Sequence, residues 1–246
     1  MKPAPDMAIV SLSARVVEIV PEAKEVKTFR FALEGSSLDY LPGQSLQISV
    51  PVPDGSRPFT RRSFTISSSP TEAGRFQITV KRNPSGIVSN FLHQEVSVGD
   101  SVSLRAPFGR FTWNIEDASR IFLIGGGSGI TPLRAMLRSI ADRALPVEVT
   151  LLDFNRSRED IIFYDELSEI ERSAPGVRAI FSLTDPDPDW TGATGRISAS
   201  LLEDAFNQSR PELVYLCGPP PMMEAAIQLL TTLGMKPEQI RTETYR

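Results

Sequence analysis

The hydrophobic rhythm of this chain changes near its middle. From about Ala8 to Trp113 the apolar residues fall in short β-like runs: Ala14–Val20, Val26–Leu33, Ser45–Val50, Arg75–Lys81 and Ser101–Leu104. Most of these runs are rich in Val, Ile, Phe and Thr, which fit a pleated, half-buried surface. Turn signals separate them at Pro42-Gly43, Pro53-Asp54-Gly55, Ala73-Gly74 and Gly99-Asp100. Many short strands at this spacing predict a barrel or sandwich, with one helix inside it at Val88–Gln94.

From Ser119 strand and helix alternate. Strands are expected over Arg120–Ile124, Val147–Phe154, Val177–Leu183 and Leu213–Cys217, and helices near Pro132–Ala141, Glu159–Ser173, Ala199–Phe206 and Met222–Leu233. This alternation predicts a parallel sheet covered by helices on both faces. The joint falls near Trp113–Ala118, so the expected domains are residues 1–115 and 116–246. There is no internal repeat and no low-complexity tract.

Composition narrows the chemistry. The 246 residues suffice for a core without staples, and 41% hydrophobic against 23% charged residues describes a globular chain. Lys plus Arg number 26 against 30 Asp plus Glu, so the basic excess of a nucleic-acid binder is missing. Cys217 is the single cysteine and His93 the single histidine. They exclude an internal disulfide, a four-cysteine iron–sulfur cluster and a zinc site of cysteines and histidines within this chain, and no metal site is expected. A Ser-His-Asp hydrolase would need His93, and no nucleophile-elbow motif accompanies it. No apolar stretch of signal-peptide type follows Met1–Asp6. Apolar runs such as Ile121–Ile124 are far shorter than the ~20 residues of a spanning helix. The chain reads as soluble and cytoplasmic, without a membrane partner.

Four segments carry candidate chemistry. Arg62-Ser63-Phe64-Thr65-Ile66-Ser67-Ser68 places an arginine, a ring and hydroxyls together. As a strand it sets Arg62, Phe64 and Ile66 on one face and Ser63, Thr65 and Ser67 on the other. That suits a cofactor with a flat ring and a phosphate; taken alone, it reads first as an amphipathic strand with an exposed arginine. Gly86-Ile87-Val88-Ser89 opens a helix, whose free N–H groups form an anion site, or is simply a turn. Gly125-Gly126-Gly127-Ser128-Gly129-Ile130-Thr131-Pro132 follows a strand and opens a helix. Such a run admits a pyrophosphate, although it matches neither the G-x-G-x-x-G pattern nor a Walker loop. Cys217-Gly218-Pro219-Pro220-Pro221-Met222 ends a predicted strand, where open parallel sheets bind ligands.

In this order the four segments resemble the ferredoxin–NADP reductase superfamily, in particular the flavin reductase modules of bacterial oxygenase systems. The resemblance spans roughly Ala8 to Tyr245. It extends to Leu41-Pro42-Gly43-Gln44, Val80-Lys81-Arg82, Pro107-Phe108-Gly109-Arg110-Phe111 and Asp153-Phe154-Asn155-Arg156 followed by Glu159-Asp160-Ile161. It implies an antiparallel FAD-binding β-barrel followed by a parallel-sheet, α/β pyridine-nucleotide domain. Arg62 is then expected on the flavin pyrophosphate, Phe64 (tyrosine in most of the family) against the isoalloxazine, with Ser63 beside them, and Thr65 facing flavin N5. Thr79, Val80 and Lys81 would line the flavin, and Gly86, Ile87, Val88 and Ser89 would cradle its pyrophosphate. Gly126, Gly127, Ser128 and Thr131 would hold the nicotinamide cofactor's pyrophosphate. Cys217, with Gly218 and Pro219, would lie near nicotinamide C4, shaping the approach rather than acting as a nucleophile.

Asn155 and Arg156 belong to the same cofactor set. Arg156 and Arg158 are the arginines available to an adenosine 2′-phosphate. Ser182 is followed by Leu183 where phosphate-selective members often place arginine, so NADH is favoured over NADPH. The Glu243-Thr244-Tyr245-Arg246 ending resembles the family's terminal strand, with Glu243 or Tyr245 near the flavin's reactive face. Related reductases often continue into a [2Fe–2S] domain. Here either a separate protein accepts the electrons or the chain was cut at a domain boundary. The implied activity passes a hydride from nicotinamide to flavin, then single electrons to an iron–sulfur or haem protein. Arg57, Arg61, Arg62, Lys81 and Arg82 could attract an acidic ferredoxin. The alternatives are a reductase of free flavins and small oxidants, and a non-catalytic FAD-binding electron-transfer or sensor subunit. His93 reads as packing, and Trp190 as loop packing near the nucleotide site.

Overall fold

In the computed structural model, which describes residues 7–35, 37–52 and 55–245, contacts divide the chain into two compact units, Met1–Trp113 and Asn114–Arg246. The Pro53-Asp54 part of one predicted turn, the segment Met1–Asp6 and Arg246 lie outside the described residues.

The first unit is built from period-two strands. β1 spans Val10–Ala23, β2 Val26–Ala32, β3 Ser45–Pro51, β4 Phe59–Thr65, β5 Arg75–Lys81 and β6 Ser101–Phe108, with helix α1 at Ile87–Gln94. In β3, Leu46, Ile48 and Val50 point inward and the residues between them are partly exposed. All pairings are antiparallel, in the order β4-β3-β6-β1-β2-β5. An Ile66–Ile78 bridge brings the two outer strands together and closes the barrel. Its centre holds Phe29, Phe31, Ile48, Ile66, Phe76, Ile78 and Leu104, and Leu92 of α1 packs into it. Phe31 and Phe76 stack at 4.9 Å. Three buried hydroxyls satisfy one another, Thr79 bonding Thr28 at 2.8 Å and Ser67 at 3.0 Å.

The second unit runs β7 (Arg120–Gly126), α2 (Ile130–Asp142), β8 (Glu148–Asn155), α3 (Tyr164–Ser173), β9 (Val177–Leu183), β10 (Ala193–Thr194), α4 (Ala199–Gln208), β11 (Leu213–Cys217), α5 (Pro220–Thr232) and β12 (Ile240–Glu243). The sheet is wholly parallel, in the order β10-β9-β8-β7-β11-β12. β7, β8 and β11 are buried along nearly their whole length, as strands covered on both faces must be. From β7 the chain first builds outward through β8 to β10, then returns to β7's other side. This reversal leaves a crevice outside the carboxyl ends of β7 and β11.

Two sequence expectations need correction, and one short strand was not foreseen. The single helix expected over Glu159–Ser173 is a short 3₁₀ turn at Arg158–Asp160 and then α3; between them Phe163 takes φ +66° and is buried under the Arg134 guanidinium at 4.4 Å. β10 has only two residues and no hydrophobic run to announce it. The terminal strand ends at Glu243 rather than running through Tyr245.

Candidate functional site

In the first unit the candidate residues converge on α1 and β4, which pack together. The Arg62 side chain is exposed and makes no ion pair or hydrogen bond to another described residue. Ser63 is exposed, Phe64 leans partly into the barrel core, and Thr65 is buried, so the expected two-face alternation breaks where β4 turns toward β5. Thr79 and Val80 are buried and Lys81 is exposed at the strand end. The first α1 hydrogen bond runs from the Asn90 N–H to the Gly86 carbonyl. The N–H groups of Ile87, Val88 and Ser89 therefore have no intrahelical acceptor. A Cβ on Gly86 would lie 2.7 Å from Ser89 Oγ. That hydroxyl accepts from the Asn83 N–H at 3.1 Å, so Ser89 tightens the loop itself. His93 pairs its Nε2 with the Val80 carbonyl at 2.8 Å, fastening α1 to β5. Burial lowers its pKa, which leaves a neutral imidazole donating that bond at pH 7. Among the basic residues, Arg82 is paired with Glu25 and Arg61 stacks on Phe59 at 4.5 Å.

In the second unit the glycine run is a 3₁₀ turn at Gly127–Gly129 leading into α2, with Gly127 at φ +53°. Cys217 is in register with Gly125 on the neighbouring strand. The two strand ends touch closely: a Cβ on Gly129 would lie 2.1 Å from the Cys217 carbonyl oxygen. A Cβ on Gly126 would meet Met222 Sδ at 2.8 Å and Pro219 Cδ at 3.2 Å, and one on Gly218 would meet Met222 Cε at 2.5 Å. Met222 thus fills the gap between the two loops, a contact that helical spacing in the sequence does not announce.

Thr131 is buried, and its hydroxyl bonds the Ser128 carbonyl at 2.9 Å and Tyr245 Oη at 2.8 Å; Ser128 itself is partly exposed. Cys217 is fully buried, and desolvation pushes its thiol up to about 12 against the opposing bond from Tyr245. It is a neutral thiol and a poor nucleophile. Glu243 faces Cys217 in register, and burial raises its carboxyl pKa. Tyr245 is about half exposed, at 45%.

Chains of this kind are known. The segment 13–113 matches the family model for the oxidoreductase FAD-binding domain, and 123–228 that for the oxidoreductase NAD-binding domain. NADH-cytochrome b5 reductase 1 of Aspergillus terreus is 31% identical over 219 residues, 85% of this chain and 73% of that protein. The chain belongs to the ferredoxin–NADP reductase superfamily.

Within that superfamily the glycine betaine monooxygenase reductase subunit of Chromohalobacter salexigens is 32% identical over 237 residues. The match covers 95% of this chain but only 64% of that subunit, so the chain spans just under two thirds of its length. The flavohaem-like FAD/NAD-binding domain of nitric oxide dioxygenase from Vibrio cholerae O1 biovar El Tor superposes with a TM-score of 0.84 at 29% identity. That match covers 95% of this chain and 98% of the other.

The residues of this reductase-superfamily chain fit both nucleotides: unbonded N–H groups beside an unpaired arginine in one unit, a side-chain-free crevice at parallel strand ends in the other. No group of three His, Cys, Asp or Glu among the described residues is placed to hold a metal. No described helix is long and apolar enough to cross a membrane.

Beside the crevice Arg156 is exposed and pairs with Asp185 at 3.4 Å. Ser182 bonds the Gly195 carbonyl at 2.9 Å. Trp190 donates Nε1–H to the Ala193 carbonyl at 2.9 Å, with its indole against Gly192, so it packs its own loop. Asn155 is buried at the end of β8 and donates to Asp153 Oδ2 at 2.7 Å. Asp153 is buried beside it and was not singled out by sequence reasoning; its one signal was a lone acid inside an apolar strand.

Proposed function

We propose that this chain is an FAD-dependent NADH reductase whose FAD is held by the barrel and whose nicotinamide cofactor lies on the β7–β11 crevice. Bound FAD supplies the chemistry, taking a hydride and releasing electrons one at a time. The observation that carries the reading is the pair of nucleotide cradles on one chain. Arg62 and the N–H groups of Ile87, Val88 and Ser89 hold the flavin pyrophosphate; Phe64 and Thr65 flank its ring system, with Ser63 and Thr79–Lys81 along its edge. Gly126–Ser128 admit the second pyrophosphate, and Thr131 holds the turn to Tyr245. Cys217, Gly218 and Pro219 shape the nicotinamide approach, and Glu243 and Tyr245 border it. Orientation, not proton transfer, is what these residues contribute.

NADH is favoured over NADPH because Asp185 already neutralises Arg156 and sets a carboxylate where a 2′-phosphate would need cations. The name of the Aspergillus relative points the same way. The acceptor is an iron–sulfur or haem centre; the names of the monooxygenase reductase and cytochrome b5 reductase relatives fit an oxygenase component or a cytochrome in that role.

Anaerobic titration tests this reading. The purified protein is expected to be yellow, and stoichiometric NADH is expected to bleach its visible flavin band, with NADPH much less effective. A yellow protein bleached by neither nucleotide would favour a non-catalytic FAD-binding subunit. For the flavin cradle, Arg62→Ala removes a charge-assisted contact of about 1.5–3 kcal/mol. FAD affinity is expected to drop roughly ten- to a hundredfold, read as sub-stoichiometric flavin after gel filtration. A variant that keeps full FAD would remove Arg62 from the site.

A further inference from the structure

Asp153 is an expensive residue with no part in the mechanism above. It stands on β8, in register with Gly125 of the glycine run, and is 1% exposed. Its Oδ1 lies 3.3 Å from where a Gly125 Cβ would sit, in a position whose other neighbours are Leu133 and Ile130 of α2. That oxygen is buried with no hydrogen-bond partner. Its Oδ2 has one, the Asn155 amide nitrogen at 2.7 Å. Leaving half a carboxyl unsatisfied in an apolar layer is costly, and such costs concentrate at functional sites.

The bond has a directional consequence. Asn155 carries a donor end and an acceptor end. Asp153 Oδ2 accepts from the donor end, so Asn155 turns its carbonyl oxygen the other way. Among the described residues that oxygen has no hydrogen-bond partner, yet it is not among the buried unsatisfied atoms. It is therefore open at the carboxyl end of β8, one residue before the Arg156–Asp185 pair. An acceptor there recognises a hydroxyl, which donates a hydrogen bond, and disfavours a phosphate, which at neutral pH offers only acceptors.

We infer that Asp153 is a positioning residue that locks the Asn155 amide with its oxygen outward, and that this oxygen selects the adenosine ribose hydroxyl of NADH over the 2′-phosphate of NADPH. The inference rests on the nucleotide site proposed above. Without the lock, Asn155 is free to present its NH₂ group instead, and a phosphate is no longer disfavoured.

The test is calorimetric titration of the FAD-loaded protein with ADP-ribose and with 2′-phospho-ADP-ribose, which needs no turnover. Wild-type protein is expected to bind ADP-ribose more tightly. Asp153→Leu is expected to weaken ADP-ribose about tenfold while changing the phosphorylated ligand less than about twofold, the scale of one lost hydrogen bond. In an Asn155→Ala background the same substitution is expected to leave the ratio unmoved, because Asp153 acts through Asn155. Asp153→Asn, which keeps the side-chain shape but lets either end of Asn155 pair, is expected to fall between and decides the matter if the leucine variant does not fold. Equal weakening of both ligands, or an unchanged ratio in both Asp153 variants, overturns the inference. If wild-type protein is bleached by NADH while the ratio stays fixed, only the role of Asp153 falls; if NADH does not bleach it at all, the functional reading falls first.

Discussion

Gly129→Ala is expected to slow NADH-dependent bleaching about a hundredfold while leaving the flavin bound. The cause is steric and not conformational, because Gly129 sits at φ −64°, where any residue is comfortable. A methyl there would meet the Cys217 carbonyl oxygen at 2.1 Å, the Cys217 carbonyl carbon at 2.5 Å and Gly218 Cα at 2.8 Å. All three are backbone atoms at the end of a fully buried central strand, so no side chain can swing aside. Overpacking of this kind typically costs ~1–3 kcal/mol in stability. The larger effect is displacement of the two loops, since a misplacement of about 1 Å can cost about a hundredfold in rate. The check is nucleotide affinity and reduction rate beside FAD content. A variant reduced by NADH with an unchanged KM would show that the crevice is not where the nucleotide binds.

Asp153→Leu should make the protein more stable, and more so in alkaline than in acid solution. Burial pushes the Asp153 carboxyl from 3.8 up to about 7, against the single opposing bond from Asn155. A raised folded-state pKa means that the native chain holds a proton the unfolded chain gives up. The stability associated with that proton is fully present below the unfolded pKa and is lost as pH rises through the folded one. At ~1.4 kcal/mol per unit, the native state forgoes about 4 kcal/mol by pH 8 and less than about 2 kcal/mol at pH 5. Leucine removes the titration, so its stabilising effect in urea denaturation should be larger at pH 8 than at pH 5 by about 2–3 kcal/mol. An effect equal at both pH values would mean that Asp153 titrates normally. If nucleotide selectivity falls as stability rises, one side chain exhibits the exchange of stability for function expected of a site residue.

Much of the fold could be read from local pattern. β5, β9 and β11 begin and end where their apolar runs do, because each is a saturated strand bounded by turn residues. Other boundaries depend on partners distant in sequence. β1 starts at Val10 rather than Ala14 because its first residues pair with β6, Val10 opposite Ala106. The break before α3 depends on Arg134, which stacks on Phe163 and pairs with Glu166 at 2.7 Å.

The candidate site divides along the same line. Glycines at strand ends and the arginine on β4 were legible because their chemistry follows from residue type and the neighbouring element. The engagement of Thr131 by Tyr245, and the wedging of Met222 between two glycines, were not. They depend on which loops the sheet order brings together. The Asp153–Asn155 bond lies between. Two polar residues at positions i and i+2 share one face of a strand, but only the packing above them shows that one oxygen is left unsatisfied.

The two sheets also differ in how they end. The barrel's outer strands meet at Ile66 and Ile78, so little free ladder remains there. The parallel sheet stays open, yet its margins are its shortest strands, two residues at β10 and four at β12. β12 follows Pro237 and carries Arg241 and Glu243. Short, charged, proline-flanked margins are poor templates for another chain's strand. The sheet therefore carries its own protection against edge-to-edge polymerisation.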